Sequence, residues 1–198
     1  KTVDGGASWT PLSVAGEAAS APVATASDSG VFDDSMLELA AESDPHLNAI
    51  ARTEAGVLLV MGERGAGFRS ADAGGSWSKI RLPYEGSMFG LLTLGGEKVL
   101  AFGLRGNVFE SADAGGSWRK VDSGTGTSLI GGTVGPDGTV VLVGSNGTLL
   151  ARRPGENAFS ARHIQLGSGQ VPALSAAAAA DGGYLLTSDL GTVKTNVQ

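Results

Sequence analysis

The chain has 198 residues, a net charge of −6, no cysteine and 32 glycines. The acidic balance argues against nucleic acid as the main partner and against an anionic membrane surface. The lack of cysteine removes disulfides, zinc–thiolate sites and thiol nucleophiles, and no apolar run of about 18 residues is present to span a membrane.

In chain order, Lys1–Leu12 carries TVDGGASW (Thr2–Trp9) and a short predicted strand, SWTPL, at Ser8–Leu12. Residues 13–45 form an Ala/Ser/Asp-rich insertion, low in complexity over Ala15–Gly30, that reads as a surface loop. Within it, Asp33-Asp34-Ser35 before MLELAAE suits a short capped helix with acids at its N-terminus. From His46 the pattern becomes regular. Strands are predicted at Leu47–Ala51, Val57–Met61, Gly67–Ser70 and Ser76–Leu82, then at Phe89–Leu94, Lys98–Phe102, Asn107–Ser111 and Ser117–Val121. The next set is Leu129–Val134, Thr139–Val143, Thr148–Arg152 and Phe159–Ile164. The last begins at Pro172, continues through Tyr184–Thr187 and ends at Thr192–Val197. Apolar runs such as VLLVM and TVVLV suit second strands covered on both faces. GPDG, at Gly135–Gly138, reads as a hairpin turn in which Pro presets φ and Gly takes the left-handed position.

These sets repeat. SADAGGSW occurs at Ser70–Trp77 and at Ser111–Trp118, 41 residues apart, and TVDGGASW keeps the acid, the Gly and the Trp. A Gly- and β-rich repeat of about 40 residues is the period of one four-stranded propeller blade. The predicted fold is therefore all-β: a β-propeller of four-stranded antiparallel blades, one domain over 1–198 with about four to five blades. A ring of only four such blades is tight, so the chain is expected to be part of a larger propeller. Trp9 and Trp77 are 68 residues apart, 27 more than the period, which locates the insertion. One period after the second copy the motif has decayed: Arg152 stands for Ser111, Pro154 for Asp113, Glu156 for Gly115 and Phe159 for Trp118. The acid is thus dispensable to a blade, which marks the motif as structural. Asp4, Asp72 and Asp113 are expected to accept N–H groups of their own turns. Gly74 and Gly115 permit the backbone angles, and Trp77 and Trp118 pack against the next strand, with Trp9 at the matching position of the first copy. No metal site is read, because the acids a calcium ion wants are not clustered.

A second repeated feature is not explained by folding. GERG (Gly62–Gly65) and GLRG (Gly103–Gly106) place Arg64 and Arg105 one repeat apart, in equivalent turns between second and third strands. Both are expected on the face opposite the acid motifs, where arginines suit carboxylate- or phosphate-rich partners. The third copy, GSNG, has Asn146, and the fourth, SDLG, has Leu190. The linker LPYEGSMF adds Tyr84 and Glu85 near the same face, and Tyr with Arg is a common pairing in interaction hot spots. The partner-binding candidates are Arg64, Arg105, Tyr84, Glu85 and Asn146. The competing reading makes the arginines solvated turn residues and packs Tyr84 between blades. His46 and His163 read as structural or solvated. GERGAG precedes a strand rather than a helix, so it is not a phosphate loop. Asn146-Gly147-Thr148 matches a glycosylation acceptor but reads better as a hairpin turn.

Together, HLNAIA, the GERG turn, FRSADAGGSW, PYEGSMFG, AFGLRGNVFESADAGGSW and DGTVVLVGSNGTLL resemble Asp-box (BNR) propellers. More narrowly, they resemble the photosystem II stability/assembly factor-like family. That resemblance implies a seven-bladed propeller, exported to the periplasm or the outer side of the membrane, of which two or more blades are absent from this chain. It implies a non-catalytic assembly or stability factor for a membrane protein complex or transporter components, with no cofactor. The family's arginine-lined face corresponds to Arg64 and Arg105. The competing classes are a sialidase-like glycoside hydrolase and a glycan-binding propeller. The hydrolase needs an arginine triad, a Tyr/Glu pair from separate segments and an Asp acid/base. Here Tyr84 and Glu85 are neighbours, and no third repeat supplies an arginine.

Overall fold

The computed structural model describes residues 2–11 and 45–197; the insertion at 13–45 and its candidate helix lie outside the described residues, except for Pro45. Among the described residues, fifteen strands form four antiparallel sheets, each in sequential order. The first sheet is β1 (Leu47–Arg52), β2 (Leu58–Gly62), β3 (Ala66–Ser70) and β4 (Ser78–Arg81). The second is β5 (Met88–Thr93), β6 (Val99–Gly103), β7 (Val108–Ser111) and β8 (Arg119–Val121). The third is β9 (Leu129–Val134), β10 (Val140–Gly144), β11 (Thr148–Arg152) and β12 (Ser160–His163). The fourth has three strands, β13 (Leu174–Ala180), β14 (Gly183–Ser188) and β15 (Gly191–Thr195).

The first strands of successive sheets lie side by side, β1 by β5, β5 by β9 and β9 by β13. The sheets therefore radiate as blades from a common axis, and the described residues form an arc that is not closed into a ring. The core lies between blades rather than within them. Met61 and Leu82 of blade one meet Met88, Ala101 and Phe109 of blade two. Leu100, Phe102, Val108 and Val121 meet Leu129, Val140, Leu142 and Leu150 of blade three. Val141, Val143 and Leu149 meet Leu174, Tyr184 and Leu186 of blade four. That is why the second strands VLAFG and VVLVG are buried throughout: both faces of a sandwiched sheet need apolar side chains.

The predicted strands from His46 onward hold to within two residues. The fourth strands start later than Ser76 and Ser117, because the N–H groups of those serines are bound by the Asp72 and Asp113 carboxylates. SWTPL is not a strand over its described part, Ser8–Pro11. A strand exists only through ladder bonds to a neighbour, and the Trp9 side of this segment is 72% exposed. The GPDG turn forms as expected, with the Gly138 N–H donating to the Gly135 carbonyl (2.9 Å) and Gly138 at φ 80°.

Candidate functional site

The acid motifs are closed hydrogen-bond units. The Asp113 carboxylate accepts the Ser111 hydroxyl (2.8 Å), the Ser117 N–H (2.8 Å) and the Ser117 hydroxyl (2.8 Å), and the Gly115 N–H donates back to Ser111 Oγ (2.7 Å). Asp72 does the same with Ser70 and Ser76, and Asp4 with Thr2 and Ser8. The Ser117 N–H and the flanking hydroxyls pull the Asp113 carboxyl down to about 2. Asp72 and Asp4 are held lower still, by the Ser76 and Ser8 hydroxyls first. Carboxylates already saturated by their own turns have little capacity left for a ligand, and no metal-binding cluster occurs among the described residues. Gly115 is also a docking point: a Cβ there would stand 2.4 Å from Leu59 Cδ2 of blade one. Trp118 packs into the same junction.

The opposite end of each blade is built from the turn between second and third strands and the link to the next blade. In blade one the Ala66 N–H bonds the Glu63 carbonyl (2.9 Å), with Arg64 at φ 55° and Gly65 at φ 65°. In blade two the Asn107 N–H bonds the Leu104 carbonyl (3.2 Å), with Arg105 at φ 56° and Gly106 at φ 68°. Asn146 and Gly147 repeat this at φ 55° and 62°. Two consecutive left-handed residues make a type I′ turn, whose preferred sequence is Asn-Gly. Blade three has that sequence. Blades one and two put arginine where a side chain without local hydrogen-bonding capacity is strained by about 1 kcal/mol or more.

Both arginine turns are held against the inter-blade links. Gly65 donates to the Gly86 carbonyl (3.1 Å), and Leu82 donates to the Gly65 carbonyl (3.2 Å). Leu104 donates to the Ser87 carbonyl (2.9 Å), and the Arg105 N–H to Ser128 Oγ (3.3 Å). The Tyr84 ring stacks on Phe109 with centroids 6.0 Å apart, and its hydroxyl donates to the Leu104 carbonyl (3.3 Å). Tyr84 thus ties the two turns together.

The product is an open groove of about 740 Å³, lined by Arg64, Arg81, Leu82, Pro83, Tyr84, Glu85, Gly86, Leu104 and Arg105. Four of the five sequence candidates converge there. Asn146 does not; it sits one blade further on, its carbonyl 3.1 Å from His163 Nδ1. His46 stands 3.4 Å from Glu63. Arg81 is a lining residue that the repeat pattern does not reveal, because Asp122 occupies the position one period later. Its place at the end of a fourth strand, the same end as the arginine turns, is the signal that finds it. Three guanidinium groups against the single carboxylate of Glu85 make the groove locally cationic on an acidic chain.

No protein-family model and no curated protein matches the chain. Solved structures do. YCF48 bound to D1 peptide is similar at a TM-score of 0.58 and 20% identity, over 74% of this chain and 47% of that one. YCF48 from Cyanidioschyzon merolae is similar at 0.55 and 16%, over 78% and 68%. The computationally designed Ika4 protein is similar at 0.61 and 12%, over 78% and 93%. The fold is a β-propeller. The match spans about half the length of the YCF48 chain that carries the peptide, and at these identities the likeness fixes the architecture alone. The groove between the first two blades combines three arginines with the apolar side chains of Leu82, Pro83 and Leu104.

Proposed function

We propose that this chain is a non-catalytic, protein-binding propeller that takes acidic polypeptide segments into the Arg64–Arg81–Arg105 groove. It serves as an assembly or stability factor for a membrane protein complex or for transporter components, within a larger ring and outside the cytoplasmic membrane. One observation carries the reading: arginine occupies a left-handed turn position twice, where blade three shows that Asn-Gly folds. Strain retained at two equivalent positions flanking one groove supports a binding role for the side chains. Guanidinium groups held by stiff turns lose little freedom on meeting a carboxylate. The similarity to YCF48 bound to D1 peptide supports a peptide as the ligand class.

The test replaces both arginines with the residue blade three uses. In the Arg64→Asn/Arg105→Asn variant the turns relax, so the melting temperature stays level or rises, while capture of proteins from detergent-solubilised membranes of the producing organism collapses. Unchanged capture sinks the reading. Turnover of a fluorogenic sialoside by the native chain, lost in the same variant, would replace it with a hydrolase; against that, the Tyr84 hydroxyl is committed to the Leu104 carbonyl.

A further inference from the structure

Every blade's first strand carries one unpaired residue at the same place. Leu47 pairs with Gly62 and Ala49 with Met61, leaving Asn48 extra. Met88 pairs with Gly103 and Gly90 with Phe102, leaving Phe89. Leu129 pairs with Gly144 and Gly131 with Val143, leaving Ile130. Leu174 pairs with Ser188 and Ala176 with Thr187, leaving Ser175. Each is a β-bulge, a device that bends a strand and re-aims a side chain, and that recurs at barrel rims and beside sites. The partner glycines make it possible: a Cβ at Gly62, Gly103 or Gly144 would lie 2.0, 2.3 or 2.0 Å from the carbonyl oxygen of His46, Ser87 or Ser128.

The bulges fall at the arginine end of the strands that line the axis. The Arg105 turn sits between two of them, since Leu104 bonds Ser87 and Arg105 bonds Ser128, each two residues before a bulge. Those two bulges carry Phe89 and Ile130, while the outer two carry Asn48 and Ser175. Among the described residues, neither Phe89 nor Ile130 belongs to an inter-blade core cluster. Ile130 is 40% exposed and Phe89 half-buried. Apolar residues thus stand at the two bulges that flank the Arg105 turn, where the outer two blades use polar ones.

We infer that Phe89 and Ile130 form an apolar seat at the axial end of the groove, so that the bound segment is acidic and also carries a bulky apolar side chain. This rests on the groove being the binding surface. Charge complementarity with three arginines sets the acidic part of the ligand, and the pair at the bulges sets the apolar part. Burying such a side chain gives an affinity gain of about tenfold or more over alanine.

The test uses fluorescein-labelled extended acidic peptides that differ at one position, Leu, Phe or Ala, read by anisotropy against the full chain. The expected result is binding that weakens with salt, with the Leu or Phe peptide about tenfold tighter than the Ala peptide. Ile130→Ser, an exposed change that spares the core, should erase that preference and leave the weaker Ala-peptide affinity intact; Phe89→Ser should do the same. Equal affinity for all three peptides, or an equal loss on all three in Ile130→Ser, overturns the seat while leaving the groove standing. Binding of none of them, or binding indifferent to Arg64→Asn/Arg105→Asn, overturns the groove and the seat with it.

Discussion

Two equivalent turns in adjacent blades solve the same problem with different chemistry. In blade two, Ser111–Trp118 closes on itself through Asp113, and its glycine and tryptophan dock on blade one. The connection is tightened by Arg69 of blade one, whose Nε donates to the Ala114 carbonyl (2.9 Å). In blade three, Arg152–Phe159 has lost the acid and the glycine, and Arg152 lies over the Phe159 ring, 5.0 Å from its centroid. Arg152 also pairs with Glu110 of blade two, which occupies the position of Arg69 one repeat earlier. Phe159 adds a backbone bond to the Asp122 carbonyl (3.2 Å). What both turns preserve is a clamp to the preceding blade, made from the residue before the turn. The self-closing acid is one way to shape that clamp, and a buried ion pair is another. Even the aromatic exchange is consistent: the Trp118 indole N–H is buried without a partner, whereas phenylalanine has no donor to satisfy.

Breaking the ion pair should have the largest effect. Arg152 is 7% exposed and covers the Phe159 ring, so Arg152→Ala opens a gap at the blade junction as well as breaking the pair. It should cost about 2–4 kcal/mol in urea unfolding, while Glu110 keeps Arg119 at 3.2 Å. A cost below about 1 kcal/mol would remove the ion pair from the clamp. Gly115→Ala comes next, at about 2 kcal/mol, because the new methyl meets Leu59 and the residue sits at φ 85°. The corresponding Glu156→Ala should cost about 0.5 kcal/mol, since Glu156 is exposed and its carboxylate supports only the Arg153 N–H.

The third contrast is one of pH. The Asp113 carboxyl titrates at about 2 in the folded chain, below the roughly 3.9 of an unfolded aspartate. The stability it contributes is therefore complete above about pH 4 and is lost as pH falls toward 2. Asp113→Asn should lower the melting temperature by several degrees at neutral pH and flatten the acid limb of a stability–pH curve. An acid limb as steep as the native one would mean that the low value of Asp113 contributes nothing. Blade three, with Pro154 in that position, has no such group to lose. The smallest effect has the opposite sign. Ala73 and Ala114 adopt φ 56° and 49° where the first copy of the motif has Gly5 at φ 70°. Ala73 is exposed, so Ala73→Gly should stabilise by about 0.5 kcal/mol, the relief of a left-handed alanine less the entropy glycine loses. Ala114 is fully buried, so the same change there forfeits packing and should bring no gain, as differential scanning calorimetry of both variants would show.

The blade plan was legible because its causes are local. Alternating and continuous apolar runs mark strands, Gly-Gly and Arg-Gly mark turns, and a serine two residues from an aspartate is enough to close the acid motif. The misread SWTPL segment shows the limit: its composition suits a strand, but a strand also needs a neighbour that its own residues cannot specify. Arg64 and Arg105 were visible as a repeated pair, yet their left-handed conformation was readable only by setting Arg-Gly beside the Asn-Gly of blade three. Arg81 lies outside the repeat and emerged from the groove itself.

The sequence by itself determined the period, the strands and the turn chemistry, since each depends on hydrogen bonds and sterics within a few residues. Only the tertiary structure decided that residues some 40 positions apart share one groove, that four bulges ring the axis, and that Glu110 meets Arg152. Those contacts lie between blades, where the approach of two sheets rather than the propensity of either chooses the partner.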